Sequence, residues 1–346
     1  VNISCPINSL SYGIVSTSIL KELDRLNEEY VLFPKNNIED KFSYFKAKLP
    51  NYITQINLKA PSLNIWHEFD IFNHIGRGPR VAFPIFEKNQ FNPQETWNIH
   101  HQDMVLVCSK WAAEVVRPVN QNVHVCPLGV DKDFFIPSQA PLNKVIFYTQ
   151  GKREFRKGHD FLHKVFHKAF ENNKNVELWM FTENVFDSEQ EDRSFKQEYR
   201  QLLGNKVKFW PRLKKCDMIK FLSQTHCGIF LSRAEGWNLP ALECMAMGKD
   251  IISTYYSGHT EFIPKEYCVK TDKFVEAKDS KWFNGGFTWM DIIDCEDEIV
   301  EKLRQTFERK IGNNVINKTN VSIANKFTWE NTTREVLNGI RNSGIL

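Results

Sequence analysis

Two short stretches of this chain gather charge and glycine in a pattern suited to an anion. Residues 150–160 read QGKREFRKGHD. They lie between an apolar run and a segment in which Phe161, Leu162, Val165, Phe166 and Phe170 share one helical face. Arg156 and Lys157 precede that helix, where the positive end of its dipole disfavours cations by about 0.3–1 kcal/mol each. An anion would remove the penalty, and Lys152, just past Gly151, could converge with Lys157 on one phosphate; a solvated basic turn is the alternative. The second stretch, residues 232–248, reads SRAEGWNLPALECMAMG. Pro240 suits a first helical turn and Gly248 a helix end, which leaves Glu235, Gly236, Trp237 and Asn238 as the loop leading to Leu239. Backbone N–H groups there offer an anion site, and Glu243, one turn in, can accept hydrogen bonds from hydroxyls. A diphosphate with its ribose suits both features. A dipole-complementing Glu243 and a solvated Glu235 are the alternative.

The elements that must hold these stretches follow from periodicity. Runs 145–150, 176–182, 207–210, 227–232 and 250–255 predict strands buried on both faces, with helices near 194–203, 215–224 and 239–247. Strand and helix in alternation imply a parallel sheet with crossover helices. The first 140 residues carry the same signal more weakly, with strands expected at 1–6, 30–33, 63–69, 80–86, 104–109 and 123–127. Helices are expected after Gly13 and over 111–116. The fold class is therefore α/β, with two doubly wound, Rossmann-like domains, 1–140 and 141–325, joined near 136–143 (IPSQAPLN). Ligands of such sheets bind beyond the carboxyl ends of the strands, so a cleft between facing domains is where chemistry is expected.

Composition narrows the classes. At 346 residues, with 42% hydrophobic and 25% charged residues, the chain suits two cores and excludes wholesale disorder. A net charge of +3 is too small to mark a nucleic-acid binder by itself. No apolar run reaches the roughly 18 residues of a membrane helix, and no secretion signal opens the chain, so a cytoplasmic protein without a transmembrane segment is expected. Eight scattered cysteines without a C-x-x-C pair read as buried thiols. Asp131-x-Asp133 is a formal metal-ligand pair, but about five such acid pairs are expected by chance at this acidity, so no metal is predicted. His100 and His101 read as surface residues. Gly76-x-Gly78 precedes a strand instead of following one, which argues against a dehydrogenase. His67, at the end of run 63–69, either packs or faces the cleft.

Gly151-Lys152 to Lys157-Gly158, followed by E-G-x-N-L-P-x-L-E at 235–243, resembles the retaining GT-B glycosyltransferases of family 4. Further signatures occur in the same order: DMVLVCSKW at 103–111, VCPLGVD at 125–131, SGHTEF at 257–262 and FTWE at 327–330. The resemblance is strong from about residue 80 onward. It implies a GT-B fold with a terminal helix, within 326–346, that crosses back to an acceptor-binding first domain. Lys152, in place of the family's usual Arg, and Lys157 would bind a donor diphosphate. Glu235 would lie by the donor sugar, Gly236–Leu239 near phosphate and sugar, and Glu243 on the ribose. Arg212 and Leu213 match loosely the positions that contact the nucleobase. In the first domain the family's glycine-rich loop is reduced to Ser11-Tyr12-Gly13, and Glu87 resembles a glutamate at the mouth of the cleft in one branch.

The resemblance implies a metal-independent, retaining glycosyltransferase that takes a UDP- or GDP-sugar as co-substrate, with no other cofactor. The expected acceptor is a sugar, lipid-linked or protein-linked glycan. A GT-B epimerase or hydrolase, a transferase acting on modified DNA, and a binding protein without turnover are the competing readings. Residues 1–140 hold 13 Lys and Arg against 14 Asp and Glu, which speaks against DNA on the acceptor side.

Overall fold

The computed structural model describes all residues except Arg212, Lys214, Ser280, Trp282, Asn314 and 342–346. Two compact units result: 1–129 with 327–346, and 130–326. Each is built on a six-stranded sheet whose recorded pairings are all parallel.

In the first unit the strands are β1 (Asn2–Cys5), β2 (Val31–Pro34), β3 (Ser62–Asn64), β4 (Arg80–Ala82), β5 (Met104–Val107) and β6 (Val123–Val125). Their order is β2-β1-β3-β4-β5-β6. Helices α1 (Ser11–Arg25), α2 (Pro93–His100) and α3 (Lys110–Val116) make crossovers. α2 starts on an Asn92–Glu95 capping box with Pro93 in its first turn, and the α3 cap is the Ser109 side chain, which accepts from Ala112 N–H. Strands expected at 63–69 and 80–86 stop at Asn64 and Ala82. The apolar residues beyond them, such as Ile65, Ile71, Phe83 and Phe86, are buried in loops, so burial alone misled the sequence reading.

In the second unit β7 (Val145–Gln150), β8 (Val176–Phe181), β9 (Val207–Phe209), β10 (Cys227–Phe230), β11 (Asp250–Thr254) and β12 (Cys268–Val269) take the order β12-β11-β10-β7-β8-β9. A two-stranded antiparallel hairpin, β13 (Phe274–Lys278) and β14 (Asn284–Met290), follows. Helices α4 (His159–Phe170), α5 (Glu189–Leu203), α6 (Lys215–Ser223), α7 (Leu239–Ala246), α8 (Glu296–Lys310) and α9 (Lys318–Ala324) complete it. The apolar face of α4 packs with Val145, Phe147, Leu178 and Ile229 in one core, as its 3.6-residue spacing requires.

The segment expected as a linker, 136–143, lies inside the second unit. Ser138 N–H donates to Met247 O, and the buried Lys249 ammonium donates to Ser138 O at 2.8 Å, so the prolines there mark a pinned loop. The chain returns to the first unit through α10 (Trp329–Ile340), capped by Thr328. Gly339 and Gly129 have no room for a Cβ, the first against Leu106 and His124 and the second against the Thr328–Trp329 backbone. Both sheets reverse strand order once, between β1 and β3 and between β7 and β10. Such a switch point opens a crevice beyond the carboxyl ends of two strands.

Candidate functional site

The two charged stretches meet at the second unit's switch point, since 151–158 follows β7 and 231–238 follows β10. The close approach rests on glycine. Gly158, at φ +71°, would put a Cβ 2.1 Å from Leu231 O, and Gly258 would put one 1.8 Å from Gly236 O. Gly258 N–H in turn donates to Glu235 O at 2.8 Å, and Ser257 Oγ accepts from Glu235 N–H at 2.6 Å. The Glu235 loop is thus clamped from both sides.

Five side chains form a continuous ionic chain there. Lys152 Nζ lies 2.8 Å from Glu154 Oε1, and Arg156 bridges Glu154 Oε2 (2.9 Å) and Glu235 Oε2 (3.0 Å). Lys157 Nζ donates to Glu235 Oε1 at 2.6 Å, and the same oxygen accepts from Ser232 Oγ at 2.5 Å. Three cations against two carboxylates leave one positive charge. Burial by itself would raise both carboxyls, but the neighbouring cations outweigh it. Lys157 and Arg156 hold Glu235 at about 2, and Arg156 and Lys152 hold Glu154 at about 2. Both are therefore ionised at neutral pH. Lys152 keeps 45% of its side chain exposed whereas Lys157 keeps 12%, so the first is open to solvent while paired with Glu154 and the second is enclosed against Glu235.

Two helix N-termini border this chain. α4 starts at Gly158 with no capping side chain, and α7 starts at Asn238, whose Oδ1 accepts from Ala241 N–H at 3.3 Å. The Asn238 Nδ2 is buried and has no hydrogen-bond partner among the described residues. Trp237 is buried against Phe262, with ring centroids 4.9 Å apart, and Leu239 and the Pro240 turn open α7 as expected. Glu243 is half-buried in the second turn of α7. Leu213 is half-buried beyond β9, and Arg212 lies outside the described residues. Gly151, at φ +139°, lets the Lys157 stem pass within 3.4 Å of where its Cβ would be.

Sequence reasoning expected Lys152 and Lys157 as bare cations and missed that acids hold them. Glu154 is the residue it overlooked, and the alternation Lys152-x-Glu154-x-Arg156 was the available signal. It also missed Arg233. This side chain, 1% exposed, makes two bonds to Asp160 (2.7 and 2.8 Å), donates to Phe155 O and stacks on the Phe155 ring at 3.6 Å. It therefore ties 155–160 to 231–236 independently of the ionic chain.

In the first unit Gly13 follows β1 and His67 follows β3 at the switch point, joined through Tyr12, whose hydroxyl also feels the charge of Glu87. Gly13 sits in the first turn of α1, where a Cβ would fall 2.2 Å from Asn8 Oδ1. Ser11-Tyr12-Gly13 is thus helix instead of loop. Tyr12 OH donates to Ile85 O at 2.5 Å, and its ring lies 4.5 Å from that of His67, which stacks on Phe69. Burial, then the charges of Glu68 and Glu87, push the Tyr12 hydroxyl up. Lys88 joins the buried carboxylates of Glu68 (2.8 Å) and Glu95, yet burial leaves the Glu68 carboxyl raised.

Residues 131–288 match the family described as Glycosyl transferases group 1, and this range contains the whole ionic chain and Glu243. The chain is similar, at 21% identity over 352 residues, to a provisionally named glycosyltransferase 45 of the Sulfolobus islandicus filamentous virus (isolate Iceland/Hveragerdi), with 94% of this chain and 89% of the viral protein covered. Among solved structures it resembles a glycosyltransferase from Rickettsia africae ESF-5 (TM-score 0.69, 14% identity, 99% and 98% covered). It also resembles Anabaena HepE in complex with UDP-glucose (TM-score 0.67, 11% identity, 99% of each chain covered). These likenesses show the fold, GT-B, with two Rossmann-like units. The chain is an enzyme, a transferase of glycosyl groups.

Proposed function

We propose that this glycosyltransferase is a retaining, metal-independent enzyme of family 4 that moves a sugar from a UDP- or GDP-sugar to a glycan-type acceptor. The observation that carries the reading is the ionic chain Lys152–Glu154–Arg156–Glu235–Lys157 at the switch point. An ammonium has three donors, so Lys157 can stay on Glu235 and still donate to a phosphate. Negative charge grows on the leaving diphosphate as the glycosidic bond breaks. Lys152, Lys157 and the N-termini of α4 and α7 would stabilise that charge where it develops, the role a divalent metal would otherwise fill. Asn238 Nδ2 supplies a further buried donor. Glu235, kept ionised by two cations, orients Lys157 and faces the sugar, and Glu243 accepts from the ribose hydroxyls. Leu213 and Arg212 are assigned to the base, and no cofactor besides the nucleotide sugar is required.

For the acceptor we assign the first unit's switch point, with Gly13 shaping the turn and His67 and Glu87 at its rim. Aromatic rings beside carboxylates suit sugar rings and their hydroxyls better than phosphates. The similarity to HepE, whose structure holds UDP-glucose, supports UDP as the first nucleotide to try. The test is incubation with UDP-, GDP- and ADP-sugars and a panel of glycan, glycolipid and glycopeptide acceptors in excess EDTA, with the product anomer read by NMR. Transfer with unchanged anomeric configuration is expected. Release of free sugar or an epimer alone, an inverted product, or activity that only Mg²⁺ or Mn²⁺ restores would overturn the reading.

A further inference from the structure

The crossover from β2 to β3 holds no α-helix. It runs through short 3-10 turns at Asp40–Lys48 and Ile53–Gln55. The second turn satisfies its polar groups internally. Gln55 Oε1 accepts from the N–H groups of Asn51 (2.6 Å) and Tyr52 (3.3 Å), while Gln55 N–H and Ile56 N–H donate to Tyr52 O and Ile53 O. With Gln55 turned onto the backbone, the apolar side chains face water. Tyr52 is 72% and Ile53 76% exposed, the highest among the large hydrophobic residues described, with Tyr44 and Leu58 about half exposed nearby in sequence. An ordinary surface turn does the reverse, and large apolar side chains gathered in water mark an interaction surface.

The charge of this crossover points to the partner. Positions 41–60 carry four lysines and no Asp or Glu, although 1–140 as a whole is net acidic. Lys41 and Lys48 pair with Glu39 and Asp24, while Lys46 and Lys59 are exposed. Arg77 adds a further exposed cation, because the N–H groups of Arg77 and Gly78 donate to Leu58 O at 2.7 and 3.1 Å. That contact is tight: a Cβ on Gly76 or Gly78 would meet the carbonyls of Leu58 or Ala60 at 2.6 and 2.1 Å.

We propose that residues 41–60, with Arg77, form a docking surface for an anionic lipid bilayer. Tyr52 would sit at headgroup level, Ile53 and Leu58 would enter the acyl boundary, and Lys46, Lys59 and Arg77 would meet anionic headgroups. Aliphatic tips have no use on a phosphodiester backbone, which favours lipid over nucleic acid. The surface shares no residue with the assigned donor or acceptor positions, so the inference does not rest on the proposed donor or acceptor.

The test is flotation of the full chain with vesicles of pure phosphatidylcholine or with about 30% phosphatidylserine, at low and about 0.5 M salt. At least about tenfold more protein is expected on the anionic vesicles at low salt, with most of it released at high salt. Tyr52→Ser/Ile53→Ser and Lys46→Glu/Lys59→Glu should each lower binding at least about fivefold while circular dichroism and Tm stay unchanged. Equal binding to neutral vesicles, no binding, retention by both double variants, or preferential binding to duplex DNA or to a second copy of the chain would overturn the proposal.

Discussion

At the scale of single residues, Lys157 and Glu243 should separate kinetically. Lys157 touches the leaving group as its charge develops, so Lys157→Ala is expected to lower kcat by about 10²–10³-fold with little change in donor KM. Glu243 would meet ribose in ground and transition state alike, so Glu243→Ala is expected mainly to raise donor KM. Steady-state kinetics with the donor found by screening checks both, and unchanged parameters for both would remove the site assignment. The ionic chain also predicts an acid limb in stability. Glu154 and Glu235 titrate at about 2 in the folded chain, well below the ordinary 4.5. Their contribution is therefore fully present above pH 4.5 and is lost as pH falls through 2. Tm measured against pH should fall over that window, and the fall should be shallower in Glu154→Gln. The same depression keeps Glu235 ionised at every pH the enzyme would meet, so its titration should leave no mark on a rate profile at neutral pH.

At the scale of elements, the site depends on two loops held closer than any side chain would allow. Gly158→Ala combines a φ of +71° with a Cβ 2.1 Å from Leu231 O, whereas Gly312→Ala has a φ of +68° and nothing within 4 Å. The first should cost more than about 2 kcal/mol and most activity, the second about 1 kcal/mol and no activity, as denaturant titration and turnover would show. The sequence revealed much of this architecture because the second unit's strands are buried on both faces and read as unbroken apolar runs. β7 matches its expected bounds and its neighbours differ at one end only. The α4 stripe and the Pro240 start of α7 were equally legible. The β13–β14 hairpin was not, since its strands pair with each other outside the main sheet and Gly285 and Gly286 interrupt the alternation of Phe283, Phe287 and Trp289. Nor was the partnership of Arg156 with Glu235, 79 positions apart, because spacing does not reveal which cation a loop will turn inward. In the first unit Lys88 between Glu68 and Glu95 is illegible for the same reason.

At the scale of the whole molecule, the chain is two units with one returning segment. α10 buries Val336, Leu337 and Ile340 in the first unit, and Glu335 meets His124 at 2.8 Å. Burying such side chains stabilises by about 1.5–3 kcal/mol each, so a chain stopped after Lys326 should lose on the order of 5 kcal/mol from the first unit and little from the second. Calorimetry should then show an early first transition beside an unshifted second one. The central claim is that the ionic chain receives a nucleoside diphosphate without a metal, and it can be tested without knowing the acceptor. The measurement is the change in Tm of the second unit on adding UDP, GDP or ADP in excess EDTA, for the natural chain and for Lys157→Ala. The account predicts a rise with at least one diphosphate, a smaller rise with the matching monophosphate, and loss of most of that difference in Lys157→Ala. No rise with any nucleotide, or an identical rise in the variant, would contradict it.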